Sequence, residues 1–349
     1  MKVTIDGQAI DVEPGTTILQ AARMIGGEVV PPAMCYHSKL KGSGGKCRCC
    51  LVEVAKGSEA DPRPMPKLMA SCVTGCQEGM EVNSKASPRV QEARKSVTEF
   101  LLINHPLDCP VCDQAGECDL QNLSFEHGKS ESRFIEEKRT FEPEDIGPNI
   151  QLHMNRCILC YRCVMVADQI TDNRVHGVMD RGDHSNISTC ISQAIDNEFS
   201  GNMIDVCPVG ALTDKTFRFK SRVWFNKPYN AHRDCPTCSG KTTVWMFGDE
   251  IQRVTGRKDE FHEVDEFICN GCRFDHKEVS DWVIEGPREF EKDSVINQNK
   301  YFGKAATVEI DTEKNILVGR DEDRKKISMA EIDYDEKIDG EPVNSTKNG

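Results

Sequence analysis

The sequence predicts an α+β chain assembled from several small cysteine-bearing modules. Three observations predict it. Eighteen cysteines fall into spaced groups. Strand-like and helix-like stretches alternate from the N-terminus, and no apolar run approaches the roughly 18 residues a membrane span needs. A length of 349 residues accommodates two or three small domains, and a hydrophobic fraction of 38% gives them modest cores. The opening MKVTIDGQAI lacks a signal-peptide run, so the chain is expected in the cytoplasm. A formal charge of -13 argues against nucleic-acid binding and against charge-driven membrane attachment, both of which need clustered Lys and Arg. In a reducing compartment, clustered thiols read as metal ligands rather than as disulfides.

The first element is a β-hairpin: Val3 and Ile5, a turn at Asp6-Gly7, then Ile10 and Val12. Thr17 and Gln20 form a capping-box pair ahead of Ile18, Leu19, Ala21, Ala22 and Ile25, which predicts a short helix. Leu51 to Val54 predicts a strand. Hairpin, helix, cysteine loop and strand is the order of a small α+β ferredoxin domain. Val90, Ala93, Val97, Leu101 and Leu102 recur at helical spacing between Pro88 and Ile103. Phe125 to Asn149, charged and holding Pro143, Gly147 and Pro148, reads as a linker, with a boundary near residue 150. Beyond Lys300 only Val308, Ile310, Ile316, Leu317 and Val318 offer strand signals in an acidic and basic background, and the closing EPVNSTKNG is expected to lack fixed structure.

Four cysteine groups carry the chemistry. In the first, Cys35, Cys47, Cys50 and Cys72 flank a loop with Gly42, Gly44 and Gly45, where the backbone can wrap tightly and aim N–H groups at sulfur. Four thiolates on such a loop suit a [2Fe-2S] cluster; a structural zinc site would ordinarily use two close Cys-x-x-Cys pairs, and here only Cys47 and Cys50 form one. Cys49 and Cys76 are surplus and read as small buried thiols. The second group, HPLDCPVCDQAGEC, offers His105, Cys109, Cys112 and Cys118 to one cubane, with zinc the competing reading. An imidazole in place of a thiolate removes negative charge, which raises a cluster's reduction potential. The third group, Cys157, Cys160 and Cys163 in CILCYRC, is completed by Cys207 in DVCPVGAL, as in [4Fe-4S] ferredoxins whose closing Cys-Pro comes from another segment. A second ferredoxin run is missing, and Cys190 alone cannot replace it. The fourth group, Cys235 and Cys238 with Cys269 and Cys272, is an all-sulfur set of four that suits zinc and [4Fe-4S] equally.

The order MCYH, GGKCRCCLVEV, HPLDCPVCDQAGECDLQ, RCILCYRC and IDVCPVGALT resembles the G subunits of the NADH-quinone oxidoreductases, the large iron-sulfur subunits of respiratory complex I. The resemblance covers residues 1 to about 225 closely. It implies one [2Fe-2S] cluster and two [4Fe-4S] clusters on the first three groups. It further implies an N-terminal β-grasp [2Fe-2S] ferredoxin domain over 1–84. A helical module with one histidine and three cysteines over 85–125 and a ferredoxin-like [4Fe-4S] module over 126–225 follow from it too. A small β-rich four-cysteine domain over 226–300, the start of a molybdopterin-oxidoreductase-like region, and an acidic extension over 301–349 complete the expected layout. Some family members carry a further cluster on Cys-x-x-Cys-x-x-x-Cys and a distant Cys; the third of those positions is Thr242 here, with Cys272 as a substitute.

By that resemblance the chain relays single electrons from a flavin- and NADH-binding subunit towards a ferredoxin-like subunit, quinone-site subunits and quinone, coupled in the whole complex to proton translocation. It is expected on the cytoplasmic side of the inner membrane, touching the membrane only through its partners. No Gly-x-Gly-x-x-Gly follows a strand, so no nicotinamide or flavin pocket of its own is expected. The alternatives are the electron-transfer subunit of a soluble NAD-linked hydrogenase or formate dehydrogenase, the input modules of an iron-only hydrogenase, and a structural zinc protein. The iron-only enzyme needs further cysteines, and none follows residue 273.

Overall fold

A computed structural model of the chain describes residues 1–129, 131–189 and 193–288, and beyond these the backbone of five strands. The chain divides into two units, Met1–Ser294 and Val295–Gly349.

The first unit opens as the pattern predicts. β1 (Lys2–Ile5) and β2 (Gln8–Asp11) pair antiparallel, with Ile5 opposite Gln8. The turn between them places Asp6 at φ 46° and Gly7 at φ 82°, the double left-handed turn whose twist matches a two-residue hairpin. α1 (Ile18–Ile25) is held at its start by the Thr17/Gln20 pair: Thr17 Oγ1 accepts from the Gln20 amide, and Gln20 Oε1 accepts from the Thr17 amide at 2.9 Å. β3 (Leu51–Lys56), β4 (Met69–Ala70) and β5 (Met80–Asn83) complete a mixed sheet of order β2-β1-β5-β3-β4, in which β1 and β5 run parallel. Val3, Ile5, Ile18, Ala21, Val52 and Met80 are fully buried in one core between sheet and helix.

α2 (Pro88–Leu102) starts with Pro88 just inside its Ser87 N-cap. α3 (Asp119–His127) buries Leu120 and Leu123, so the segment expected as a linker from Phe125 begins inside a helix. Part of the remainder is docked as well, since Glu144 accepts from the Ser188 hydroxyl and the Thr189 amide, and Ile146 is 2% exposed. β6 (Ile150–Leu152), α4 (Arg162–Gln169), β7 (His176–Met179), β8 (Asn186–Thr189), α5 (Asn202–Val206) and β9 (Leu212–Asp214) follow, with β6 paired to β9 and β7 to β8. Met34, Leu120, Ile150, Val166, Met203 and Val264 share a single core that draws on the first ferredoxin-like segment, the helices and the later loops.

The last part of this unit is an antiparallel sheet of order β12-β11-β10-β13, made of β10 (Lys227–His232), β11 (Lys241–Phe247), β12 (Glu250–Gly256) and β13 (Val283–Pro287). It is locked to the rest through charge. Arg253 on β12 makes a two-pronged pair with Glu117 at 2.6 and 2.8 Å. Glu263 takes the Arg23 guanidinium at 2.8 Å and the Ser38 amide at 2.7 Å.

In the second unit β14 (Val308–Asp311) and β15 (Ile316–Gly319) coincide with the expected strand signals. With β16 (Lys326–Ser328) they form an antiparallel sheet, and β17 (Lys337–Ile338) pairs with β18 (Glu341–Pro342). The other residues of the acidic extension, including 343–349 of the closing stretch, lie outside the described residues.

Candidate metal centres

The first group takes Cys35, Cys47 and Cys50 from the loop between α1 and β3 and Cys72 from the turn after β4. Gly42, Gly44 and Gly45 all have positive φ, as does Arg48, which turns successive amides inward. The Gly45 amide donates to Cys72 Sγ at 3.1 Å, and the Lys46 and Cys47 amides both donate to Cys35 Sγ at 3.3 Å. Gly44 has a second reason to lack a side chain, because a Cβ there would lie 3.1 Å from Cys72 Sγ. The Cys50 and Cys72 sulfurs lie 3.3 Å apart, so the fold brings these two thiols together from segments 22 residues apart in the chain. Hydrogen bonds from the Cys47 and Cys72 thiols, seconded by the Cys47 and Lys46 amides, hold the Cys35 thiol far below the ordinary range. Cys49 is fully buried with its thiol facing the Cys47 carbonyl, and Cys76 belongs to the core of the first sheet.

The second group lies between α2 and α3. His105 stands just past the end of α2, its amide donating to the Leu102 carbonyl at 3.2 Å. Burial pushes its imidazole down to about 4, so the ring is neutral near pH 7 and keeps a lone pair for a metal. Among the described residues no hydrogen bond joins this ring to a cysteine; what the fold fixes is its place at the head of the cysteine loop. Cys112 and Cys118 are buried and Cys109 half-buried. Burial raises the Cys112 and Cys118 thiols above their ordinary range.

The third group assembles from a loop and α4 on one side and the turn after α5 on the other. Leu159 and Tyr161 adopt left-handed backbone, φ 53° and 66°, so that Cys157, Cys160 and Cys163 converge. Burial first, then the neighbouring thiols, push Cys160 up to about 12 and Cys163 well above its ordinary range; for Cys163 all three partners, Cys160, Cys157 and Cys207, contribute. Buried, mutually repelling thiols of this kind ionise only if a cation offsets them, which suits iron-sulfur ligation.

Contacts between groups are what the sequence did not reveal. Cys118 Sγ lies 3.8 Å from the Pro208 carbonyl, one peptide away from Cys207. The Arg162 guanidinium, 3% exposed, donates to Val206 O at 3.2 Å, to Ala33 O at 3.3 Å and to Tyr36 O. It therefore spans from the Cys35 loop to the segment before Cys207. Lys46 lies 5.8 Å above the Tyr161 ring across the same boundary. The only hint in the sequence is an arginine inside a motif of buried cysteines, CILCYRC.

In the fourth group the loop between β10 and β11 supplies Cys235 and Cys238, and Cys269 with Cys272 comes from the π-helical turn Gly271–Asp275 and the residues just before it. All four sulfurs lie within 4.8 Å of one another. Thr242 is not among them: it is buried in β11, with its hydroxyl facing the Ala231 carbonyl. Cys190 lies outside the described residues.

Thiols grouped on glycine-rich and cysteine-rich loops, with amides aimed at sulfur and a ferredoxin-like sheet at the N-terminus, define an iron-sulfur protein. Sequence profiles agree in chain order: "2Fe-2S iron-sulfur cluster binding domain" over residues 1–87, "NADH-ubiquinone oxidoreductase-G iron-sulfur binding region" over 94–133, and "NADH-quinone oxidoreductase subunit 3, ferredoxin-like domain" over 147–213. The NADH-quinone oxidoreductase G subunit of Rickettsia bellii is 43% identical over 79% of this chain and 39% of its own length. The mitochondrial NADH-ubiquinone oxidoreductase 78 kDa subunit of Candida albicans is 43% identical over 78% of this chain and 36% of its own. Over about four fifths of its length the chain is similar to the G subunits of the NADH-quinone oxidoreductases. It spans 39% of the length of the Rickettsia bellii relative. Among solved structures, a chain of an NAD+-reducing [NiFe]-hydrogenase in the H2-reduced state is 30% identical, with a TM-score of 0.54 over 64% of this chain and 90% of that one.

Proposed function

We propose that this chain is the electron-relay subunit of an NADH:quinone oxidoreductase, taking single electrons from a flavin-bearing NADH subunit and delivering them towards quinone. Cys35, Cys47, Cys50 and Cys72 would hold a [2Fe-2S] cluster. His105, Cys109, Cys112 and Cys118 would hold one [4Fe-4S] cluster, and Cys157, Cys160, Cys163 and Cys207 another. These clusters supply reversible one-electron chemistry when bound. The observation that carries the reading is the pair of links between groups, Cys118 to Pro208 beside Cys207 and Arg162 from the Cys35 loop to Val206. Groups that were merely structural would not need to abut in this way.

The chain's own residues shape the sites. Amides at Gly45, Lys46 and Cys47 spread sulfur charge, which favours the reduced state. Arg162 adds a buried positive charge between two groups. Replacing it with methionine removes that charge and leaves three carbonyls without a donor. We expect the midpoint of the third-group cluster to fall by on the order of tens of millivolts, with lower thermal stability. Redox-titrated electron paramagnetic resonance checks this; an unchanged midpoint would count against the placement of Arg162 beside that cluster. His105→Cys exchanges a neutral ligand for a thiolate, so a cluster is retained at a lower potential. A midpoint that does not move would remove His105 from the ligand set.

The layout that fits is a β-grasp ferredoxin domain over 1–84, a module with one histidine and three cysteines over 85–125 and a [4Fe-4S] module over 126–225. A four-cysteine domain over 226–300 and an extension over 301–349 complete it. Among the described residues no helix is long and apolar enough to cross a membrane. Attachment to the cytoplasmic face of the inner membrane would come through flavin, ferredoxin-like and quinone-site subunits. A second reading, the relay subunit of a soluble NAD-linked hydrogenase, is favoured by the structural likeness to the hydrogenase chain. Affinity purification of the tagged chain from solubilised cells separates them. Co-elution of multi-spanning membrane subunits supports the first reading, and co-elution of a nickel-containing soluble partner the second.

A further inference from the structure

The four sulfurs of Cys235, Cys238, Cys269 and Cys272 are packed more tightly than a cubane allows. Cys235 Sγ lies 3.7 Å from Cys269 Sγ, and Cys238 Sγ lies 3.7 Å from Cys272 Sγ. A single tetrahedral ion with metal–sulfur bonds of about 2.3 Å sets its thiolates about 3.8 Å apart. In a [4Fe-4S] core each thiolate binds its own iron, and the quartet must open around an eight-atom body. Among the described residues this is the one group of three or more ligand side chains drawn within 4.8 Å. The second and third groups, whose motifs suit cubanes, are not drawn in so far, which gives a comparison inside one molecule.

Each sulfur also accepts one N–H. Thr237 donates to Cys235 at 3.5 Å, Gly240 to Cys238 at 3.4 Å, Cys272 to Cys269 at 3.4 Å, and the Arg233 guanidinium to Cys272 at 3.8 Å. Four thiolates around one divalent ion leave a net charge of two minus, and these donors disperse it. The turn that aims the Gly240 amide needs glycine, since its φ is +67° and a Cβ would lie 2.0 Å from the Arg233 carbonyl.

We infer that the fourth group binds a single zinc ion that staples the β10–β11 loop to the 269–272 turn and takes no part in the relay. Mononuclear iron would share the geometry, but an all-thiolate tetrahedral site binds zinc more tightly than ferrous iron, and zinc carries no redox chemistry. Cys272 replaces the absent third cysteine at Thr242, and in doing so gives two Cys-x-x-Cys hooks in place of a cluster loop.

The test is metal analysis and X-ray absorption on the full chain purified anaerobically. We expect one zinc per chain with a shell of four sulfurs at about 2.3 Å, and about ten irons from the other three groups. The double variant Cys235→Ser/Cys238→Ser should lose the zinc, keep the iron and leave the cluster resonance signals unshifted. About fourteen irons without zinc would overturn the proposal, as would iron filling the four-sulfur site singly or zinc persisting in the variant. Should the variant not fold, the absorption spectrum of the unaltered chain still decides. A chain with its zinc but far fewer than ten irons would instead count against the relay reading, so the two failures are distinguishable.

Discussion

Gly210→Ala is expected to strip the second cysteine group of its cluster, with a loss of about four irons and of one [4Fe-4S] resonance signal. A Cβ at position 210 would lie 2.1 Å from Cys112 Sγ and 3.2 Å from Gln114 Cβ. In a metal-free protein a thiol can rotate away from such an intrusion at small cost. A thiolate fixed to iron cannot do so without leaving the metal, so the penalty falls on ligation rather than on folding. The backbone at 210 does not have the positive φ that would demand glycine for its own sake, so the effect isolates the contact with Cys112. Iron and sulfide analysis beside the unaltered chain checks the expectation. Retention of the full iron complement would show that Cys112 is not a ligand in this arrangement.

The second large effect is expected at Arg273, which is 1% exposed and bonds Asp205 at 2.6 and 3.0 Å. Asp205 also accepts from the Gly256 amide at 2.7 Å. Arg273→Met leaves a buried carboxylate with its charge uncompensated, a loss of about 3–5 kcal/mol. For a chain of this size the melting temperature should drop by about 4–7 degrees in a circular-dichroism melt. Adding Asp205→Asn to the same chain should recover much of the loss, because the orphaned charge goes with it. A single variant as stable as the parent would show that the pair is solvated. Asp205 lies on α5, which ends at Val206 just before Cys207, so the single variant should also weaken cluster retention in the third group.

Local elements were legible wherever a few neighbouring residues dictate the backbone. Asp6-Gly7, the Thr17/Gln20 cap and the apolar stripe of α2 each specify their element within one turn, and the structure follows them. The short strands β4, β6 and β9 have two or three residues, too few to carry a period, and they exist because a partner strand satisfies their amides. α3 carries little helical signal in the sequence, because its two buried leucines, Leu120 and Leu123, are surrounded by polar residues and closely follow a cysteine motif.

What the sequence determined by itself is which thiols can act together inside one loop. Cysteines two or three residues apart on a tight turn stay close under any tertiary arrangement, and the resemblance to the NADH-quinone oxidoreductase G subunits follows from their order. Tertiary packing alone decided what stands between and around the groups. Arg162 meets the carbonyls of Ala33 and Val206, Gly210 yields its space to Cys112, and two hooks 31 residues apart in the chain close to 3.7 Å around one point. Such contacts depend on distances across the chain that no local spacing encodes, and those distances choose between one ion and a four-iron core.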